Sequence, residues 1–211
     1  MISLFLDTSS HKIIVGIYQD TEEIILNIEE NDNRLSERIL PLLDSTLKQA
    51  SKQVSDLDHI FVVNGPGSFT GTRIGVTVAK MLAWSVNIQI STISELEVIA
   101  GYPNNVYSVP MIGARRGYMY TGMYDNTGKN IIKDQYIEIN AFLEKLESYR
   151  DVQLVSYDKF DIDNLKEPIL NISQIIARHI NDSGVNPHSV RPNYLKLTEA
   201  EERLNDQGNK E

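Results

Sequence analysis

Asn64-Gly65-Pro66-Gly67-Ser68-Phe69-Thr70-Gly71-Thr72-Arg73-Ile74-Gly75 is the stretch that decides how this chain is read. An apolar run, Ile60-Phe61-Val62-Val63, feeds into it and reads as a buried strand, and a helical pattern from Val76 to Val86 leaves it. Strand, glycine turn and helix together present backbone N–H groups to an anion. The run carries a second signal. Gly71, Gly75, Ala79 and Ala83 recur every fourth residue and form a bare ridge on one side of the helix. Such a ridge lets a neighbouring element approach closely. The phosphate motifs of known mechanics do not fit. A Walker loop needs a lysine and a hydroxyl residue directly after its second glycine, whereas Thr72-Arg73 follow Gly71. The dinucleotide fingerprint needs its third glycine one residue earlier and an acidic strand end downstream. Ser68 does not sit in a G-x-S-x-G elbow. Two readings remain: a tight turn launching a closely packed helix, or an anion held by free N–H groups with help from Arg73.

The composition narrows the classes. At 211 residues and 41% hydrophobic content the chain is long enough for one large domain or two small lobes. A formal charge of −9 leaves no overall basic footprint for unaided nucleic-acid binding. With no cysteine, disulfides, thiolate zinc sites and cysteine nucleophiles are excluded. His11, His59, His179 and His188 fall at no metal-binding spacing and read as surface or capping residues, so no metal site is expected. The segment Met1 to Asp7 lacks a basic region and its apolar run is short for a signal peptide. No stretch approaches a membrane span. The expectation is a soluble cytoplasmic protein that does not enter a membrane.

The pattern along the chain predicts strands at 2–7, 13–18 and 24–29 in an antiparallel meander, then a helix over 34–49 capped by Asp32 or Asn33. Pro41 should kink that helix or mark its working start. A strand at 89–92 and a Ser94-capped helix over 95–100 follow the glycine run. Gly101-Tyr102-Pro103-Asn104-Asn105 is the boundary candidate, giving an N-terminal lobe over 1–100 and a C-terminal lobe over 101–211. The second half predicts strands at 106–112, 118–124 and 131–139, an Asn140-capped helix to Leu146, a strand at 152–156, a helix over 172–181 and a polar tail from Leu195, disordered over 206–211. Arg115-Arg116-Gly117 reads as a tight turn: a solvated tip, or an anion or RNA contact. Each half runs strands, helix, strand, helix, which suggests a duplicated α/β lobe.

Two further candidates carry function. Asp7-Thr8-Ser9-Ser10 closes the first strand, and an acidic residue followed by hydroxyls can hold magnesium and phosphate, or be a plain polar turn. The two N-terminal helices are apolar over more of their circumference than one packed face requires. On the first, Leu35, Ile39, Leu42 and Thr46 lie beside Leu43, Leu47 and Ala50; on the second, Ile74, Val78, Met81 and Leu82 lie opposite the ridge. Both faces are either covered within the chain or shared with a partner. Glu199-Ala200-Glu201-Glu202 reads as the end of a solvated helix.

Gly65-Pro66-Gly67-Ser68-Phe69-Thr70-Gly71, with Arg73-Ile74-Gly75 and Ala79-Lys80, closely resembles the signature of the bacterial TsaB family, once called YeaZ. Leu6-Asp7-Thr8-Ser9, Ser36-Glu37-Arg38-Ile39-Leu40-Pro41, Ala114-Arg115-Arg116-Gly117 with Tyr120, and Pro192-Asn193-Tyr194-Leu195 with Glu199-Ala200-Glu201 extend the resemblance over nearly the whole chain. It implies a two-lobed actin-like ATPase fold, each lobe a mixed sheet flanked by helices. It implies a non-catalytic scaffold in the formation of N6-threonylcarbamoyladenosine at position 37 of tRNAs reading codons that begin with A. The implied partners are the catalytic paralogue TsaD, joined by the ATPase TsaE, with tRNA met mainly through the complex and a homodimer in isolation. The resemblance points to Leu35, Ile39, Leu42, Thr72, Val76 and Lys80 as the TsaD-binding face. It requires no cofactor, and leaves weak ATP and magnesium binding at a degenerate site of Asp7, Thr8 and Ser9. The catalytic paralogue's helical histidine pair and adjacent glycines have no counterpart in this sequence. Leu35, Thr72, Met81 and Gly113 depart from the family pattern, the first three on the expected partner face. The rival reading is an ATP-dependent transferase or hydrolase working at Asp7 and Thr8. A peptidase lacks any nucleophile–base constellation.

Overall fold

Strands that are apolar on both faces belong at the centre of a sheet, and two such strands organise this chain. In the computed structural model, which describes residues 1–31, 34–103 and 106–196, β1 (Ile2–Asp7) and β4 (His59–Val63) lie side by side and parallel, with almost every residue buried. β2 (Lys12–Gln19) and β3 (Glu22–Glu30) complete an antiparallel meander, and β5 (Gln89–Ile93) adds in parallel beyond β4. The five strands run in the order β3-β2-β1-β4-β5. Helices α1 (Leu35–Gln49) and α2 (Phe69–Val86) cover one face over Leu4, Leu6, Ile60 and Val62. Helix α3 (Glu95–Ala100) covers the other, over Phe5, Phe61 and Val63.

The second sheet repeats the plan. β6 (Tyr107–Gly113), β7 (Tyr118–Tyr124) and β8 (Asn130–Glu138) form a meander, helix α4 (Ile139–Leu146) follows, and β9 (Val152–Val155) returns parallel to β6. The order is β8-β7-β6-β9. Met119 and Met123 meet Phe142 of α4 in a separate small core. The duplicated lobe expected from the strand pattern is present, and the architecture is two mixed sheets flanked by helices.

The expected division at residue 100 separates the two sheets, while later chain returns to the first. Helix α5 (Ile172–His179) packs with Phe5 and Phe61. Val185 exchanges backbone hydrogen bonds with Ile90, Val190 enters the first core, and Asn193 N donates to Asn64 O at 2.7 Å.

Several local expectations are corrected. Helix α2 begins at Phe69, inside the glycine run, because Ser68 Oγ accepts from Gly71 N and caps it there. Pro41 lies within α1 rather than at its start. Glu138, not Asn140, caps α4, its carboxylate accepting from Ala141 N at 3.1 Å. Helix α5 ends at His179. The expected caps Asp32 and Asn33, the boundary residues Asn104 and Asn105, the acidic run Glu199 to Glu202 and the tail from 197 lie outside the described residues.

The glycines answer the question the run posed. The turn after β1 lies directly on the start of α2. Ser68 N donates to Ser9 O at 2.7 Å, and Thr8 Oγ1 donates to Gly71 O at 2.8 Å. A Cβ on Gly67 would collide with the Ser9 carbonyl, one on Gly71 with the Thr8 carbonyl and one on Gly75 with the Thr8 hydroxyl. Ala79 and Ala83 continue the ridge into the first core. The neighbour gripped by the ridge is therefore the chain's own hairpin and sheet. Gly71→Ala should cost at least about 2 kcal/mol, because the obstructing atom is backbone and cannot swing aside. Denaturant unfolding checks this, and a variant as stable as the parent would refute the packing.

Candidate functional site: the cleft between the lobes

A cleft of about 420 Å³ opens where the two sheets face each other. The first lobe supplies Ser9 and Glu95, and the second supplies Gly113, Tyr120, Tyr157 and Asp158. Asp7, at the end of β1, is fully buried. Its Oδ1 accepts from Ser9 N and from Ser9 Oγ, both at 2.7 Å, and its Oδ2 has no partner among the described residues. Glu95 opens α3, and its Oε2 lies 3.0 Å from the same Ser9 hydroxyl.

One hydroxyl proton cannot serve two carboxylates. Burial and the neighbouring Asp7 favour the protonated form of Glu95, and a protonated Glu95 donates to Ser9 Oγ while Ser9 donates to Asp7. Burial pushes the Glu95 carboxyl well above its ordinary value of 4.5, and the neighbouring Asp7 adds to it. Burial also raises Asp7, against the Ser9 hydrogen bonds that favour its charged form.

Across the cleft, Asp158 Oδ2 accepts from Gly113 N at 2.7 Å. That strand-end N–H is thus held by the chain's own carboxylate. Tyr157 packs against His11 edge-on at 4.6 Å and under Lys12 Nζ at 4.5 Å. Carboxylates from both lobes therefore border the space, which favours a cation or a neutral hydrogen-bonding group over a bare phosphate.

Of the three residues expected to form a nucleotide site, Asp7 and Ser9 come together with Glu95. Thr8 turns away to hold α2. Arg73, the anion helper of the alternative reading, is committed elsewhere: Nε donates to Tyr194 OH at 2.7 Å and its guanidinium stacks 3.7 Å over Phe69.

The residues expected to form the partner face are largely interior. Leu35, Ile39, Leu42, Thr72 and Val76 are buried, and Lys80 Nζ donates to Val190 O at 2.9 Å. The apolar residues that α1 and α2 expose are instead Leu40, Phe69, Met81 and Trp84, the last 68% exposed. The side of the two helices that faces the first core contains those five buried residues. His11 and His188 are exposed as expected, whereas His59 and His179 are corrected. His59 is buried with Nε2 3.0 Å from Ser91 Oγ. His179 Nε2 lies 2.9 Å from Glu97, a buried carboxylate that also accepts from Tyr102 OH and Arg178.

Sequence reasoning missed Glu95 and Asp158. An acidic residue just after a serine cap reads as a helix-dipole residue, and nothing local marks Asp158.

Two lobes of duplicated topology with a cleft between them define a two-lobed α/β fold whose cleft is bordered by carboxyl groups. Comparison with known proteins adds the family. The family model described as TsaD, tRNA N6-adenosine threonylcarbamoyltransferase, matches residues 24–201. The chain is 32% identical to the tRNA threonylcarbamoyladenosine biosynthesis protein TsaB of Bacillus subtilis, over 95% of this chain and 96% of that one. It is also 32% identical to the TsaB of a Buchnera aphidicola strain from Schizaphis graminum, over 58% of this chain and 60% of that one. A crystal structure from Pseudomonas aeruginosa, described as similar to peptidase YEAZ, superposes with a TM-score of 0.77 at 21% identity, over 92% of this chain and 99% of that one. The chain belongs to the TsaB family.

The proton shared at Ser9 makes stability depend on pH with a definite sign. Glu95 binds its proton more tightly folded than unfolded, so its contribution is complete below about 4.5 and is lost as pH rises through the raised folded value. Glu95→Gln, which stays neutral, should therefore be more stable than the parent at pH 8, by on the order of 1 kcal/mol. The difference should vanish near pH 4.5, where the parent is protonated too. Thermal unfolding across this range decides it; a gap that widens toward acid would show that the pair is not protonated.

Proposed function

We propose that this chain is a non-catalytic subunit in the formation of threonylcarbamoyladenosine on tRNA, acting by pairing with a TsaD-type transferase. The observation that carries the reading is the exposed flank of α2. Met81 and Trp84 stand one turn apart near its C-terminal end, Phe69 is exposed at its start, and Leu40 stands out from neighbouring α1. Large aromatic and sulfur-containing side chains in such numbers on one flank are what a protein interface uses. Its counterpart is a helical surface of the transferase, to which this chain is related through the shared family model. A second copy of the chain can take the same flank in the transferase's absence, since isologous pairing reuses one patch. TsaE would complete the assembly, and the cytoplasm, where tRNA is modified, is its place of action.

The cleft supports an accessory role. The N–H groups nearest a would-be phosphate, Ser68 N and Gly113 N, already donate to Ser9 O and Asp158. One observation favours the rival enzyme reading: the unpartnered buried Oδ2 of Asp7, which a magnesium ion with its water shell could satisfy. In that reading ATP binds weakly between the lobes. Calorimetric titration with ATP and magnesium, with and without the transferase, separates the two. Substantial turnover by the isolated chain would favour the enzyme.

Met81→Asp together with Trp84→Asp should leave the melting temperature close to the parent's, because both side chains are exposed. The pair should weaken co-purification with the transferase by roughly a hundredfold or more. Undiminished complex formation would refute the interface. Ile39→Asp or Ala79→Glu cannot serve this test, because both positions are in the first core.

A further inference from the structure

The outward face of β7 and β8 carries a row of tyrosines. Tyr120 lies directly opposite Tyr136, and Tyr118 opposite Glu138, so Tyr118 reaches Tyr136 on the diagonal. The Tyr118 and Tyr136 rings stack at 4.9 Å with planes 13° apart, and Tyr120 follows at 5.5 Å from Tyr136. The alternate residues Met119 and Met123 turn inward to α4. The row runs from Tyr118, which is 39% exposed, to Tyr120 on the wall of the cleft. Lys196 sits 5.2 Å over the Tyr136 ring.

The turn beside this row is unusual. Ala114 N donates to Tyr118 O at 2.9 Å, closing a hairpin whose residues Arg115, Arg116 and Gly117 all have left-handed φ, at 64, 54 and 78°. Such turns favour Asn and Gly, which adopt that backbone readily. Here two arginines hold it, both exposed. Neither guanidinium has a hydrogen-bond or ion-pair partner among the described residues. The chain keeps two cations at a strained tip without using them internally.

We infer that the tyrosine row and its arginine turn form a stacking platform for an unpaired RNA loop. The exposed Tyr118 ring takes a base, with Tyr136 stacked behind it, and phosphates meet Arg115, Arg116 and Lys196. Every base offers a π-face, so an aromatic row with flanking cations takes single strands whatever their sequence. The chain's charge of −9 confines attraction to this locality. A rigid duplex, which needs an extended basic track and hides its base faces, fits poorly. Tyrosine and arginine also serve protein interfaces, and co-purification with the transferase separates that occupant from RNA. The inference rests on the proposed role in tRNA modification and adds direct RNA contact by this subunit.

The test uses the full chain and a fluorescein-labelled RNA hairpin with an unpaired loop, read by anisotropy at low salt, with a fully paired RNA as control. Tyr118→Ala should weaken loop binding by roughly tenfold, and Tyr118→Phe should bind like the parent. Arg115→Asn with Arg116→Gly should weaken it by roughly tenfold and flatten the salt slope by about 1.4, as two lost phosphate contacts require. The same double variant should raise the melting temperature, because the turn receives the residues its backbone prefers. No loop binding by the parent, equal binding of the duplex, or variants that bind like the parent would each overturn the inference. So would a Tyr118→Ala that binds RNA normally but no longer co-purifies with the transferase, since the face would then belong to a protein. Failure of the α2 variants to disrupt the complex would instead refute the proposed pairing and leave the RNA result standing.

Discussion

Between the turn after β1 and the first turn of α2 there is no room for a side chain. The Thr8 and Ser9 carbonyls lie against Gly67 and Gly71, while Ser68 N and Thr8 Oγ1 make the hydrogen bonds that hold the two segments together. The start of α2 carries unpaired donors and the positive end of a helix dipole, which in a phosphate-binding fold would face a ligand. Here backbone and serine oxygens of the chain itself meet that end. The same contact fixes where β1 stops, so Asp7 is sealed under the turn and Ser9 is brought into reach of Glu95. Fold and site share one cause: three glycines that let a hairpin rest on a helix.

The cleft follows from that arrangement. Duplication gives each lobe a parallel strand end facing the other, with donors directed into the gap between them. In the second lobe, Ser156 Oγ accepts from Asp158 N and donates to Met111 O, so the loop after β9 is bent to lay Asp158 over Gly113 N. Both lobes thus answer their own donors from within the chain. What remains is a pocket bordered by carboxyl groups, one of them favoured in its neutral form by burial. This environment suits structural rigidity at the lobe junction better than the capture of a polyanion.

Much of the fold was legible because the chain writes it in local patterns. The strand at Tyr118 to Tyr124 alternates cleanly and appears at those residues, and Ser94 caps α3 as a serine before an acidic turn should. The meander and the duplication followed from such elements, while the parallel pairing of the return strands did not. The start of α2 was misplaced because glycine reads as turn, although Gly71 and Gly75 are helical here for want of space. Which apolar residues of α1 and α2 are exposed was not legible for a different reason. Apolar residues lie around each helix, but only the sheet's position shows which of them are spent. Leu35, Ile39 and Val76 were indistinguishable by type from Leu40 and Met81. The Asp7–Ser9–Glu95 cluster was illegible because Ser9 and Glu95 are separated by 86 positions in the chain and meet only through the turn.

The segment that returns to the first lobe ties the exposed surfaces together. Val190 accepts from Lys80 on α2, and Tyr194 stacks on Phe69 at 5.3 Å while accepting from Arg73. Two residues further on, Lys196 lies over Tyr136 of the second sheet. One stretch of chain therefore runs from the apolar flank of α2 to the tyrosine row, crossing between lobes. Its anchors are a buried valine and an aromatic–guanidinium stack on the first lobe, and a cation over a ring of the second. A partner seated on the α2 flank would press on Phe69 and Tyr194, and through them on the residue that flanks the row. These contacts form a continuous path of packed side chains between the two surfaces.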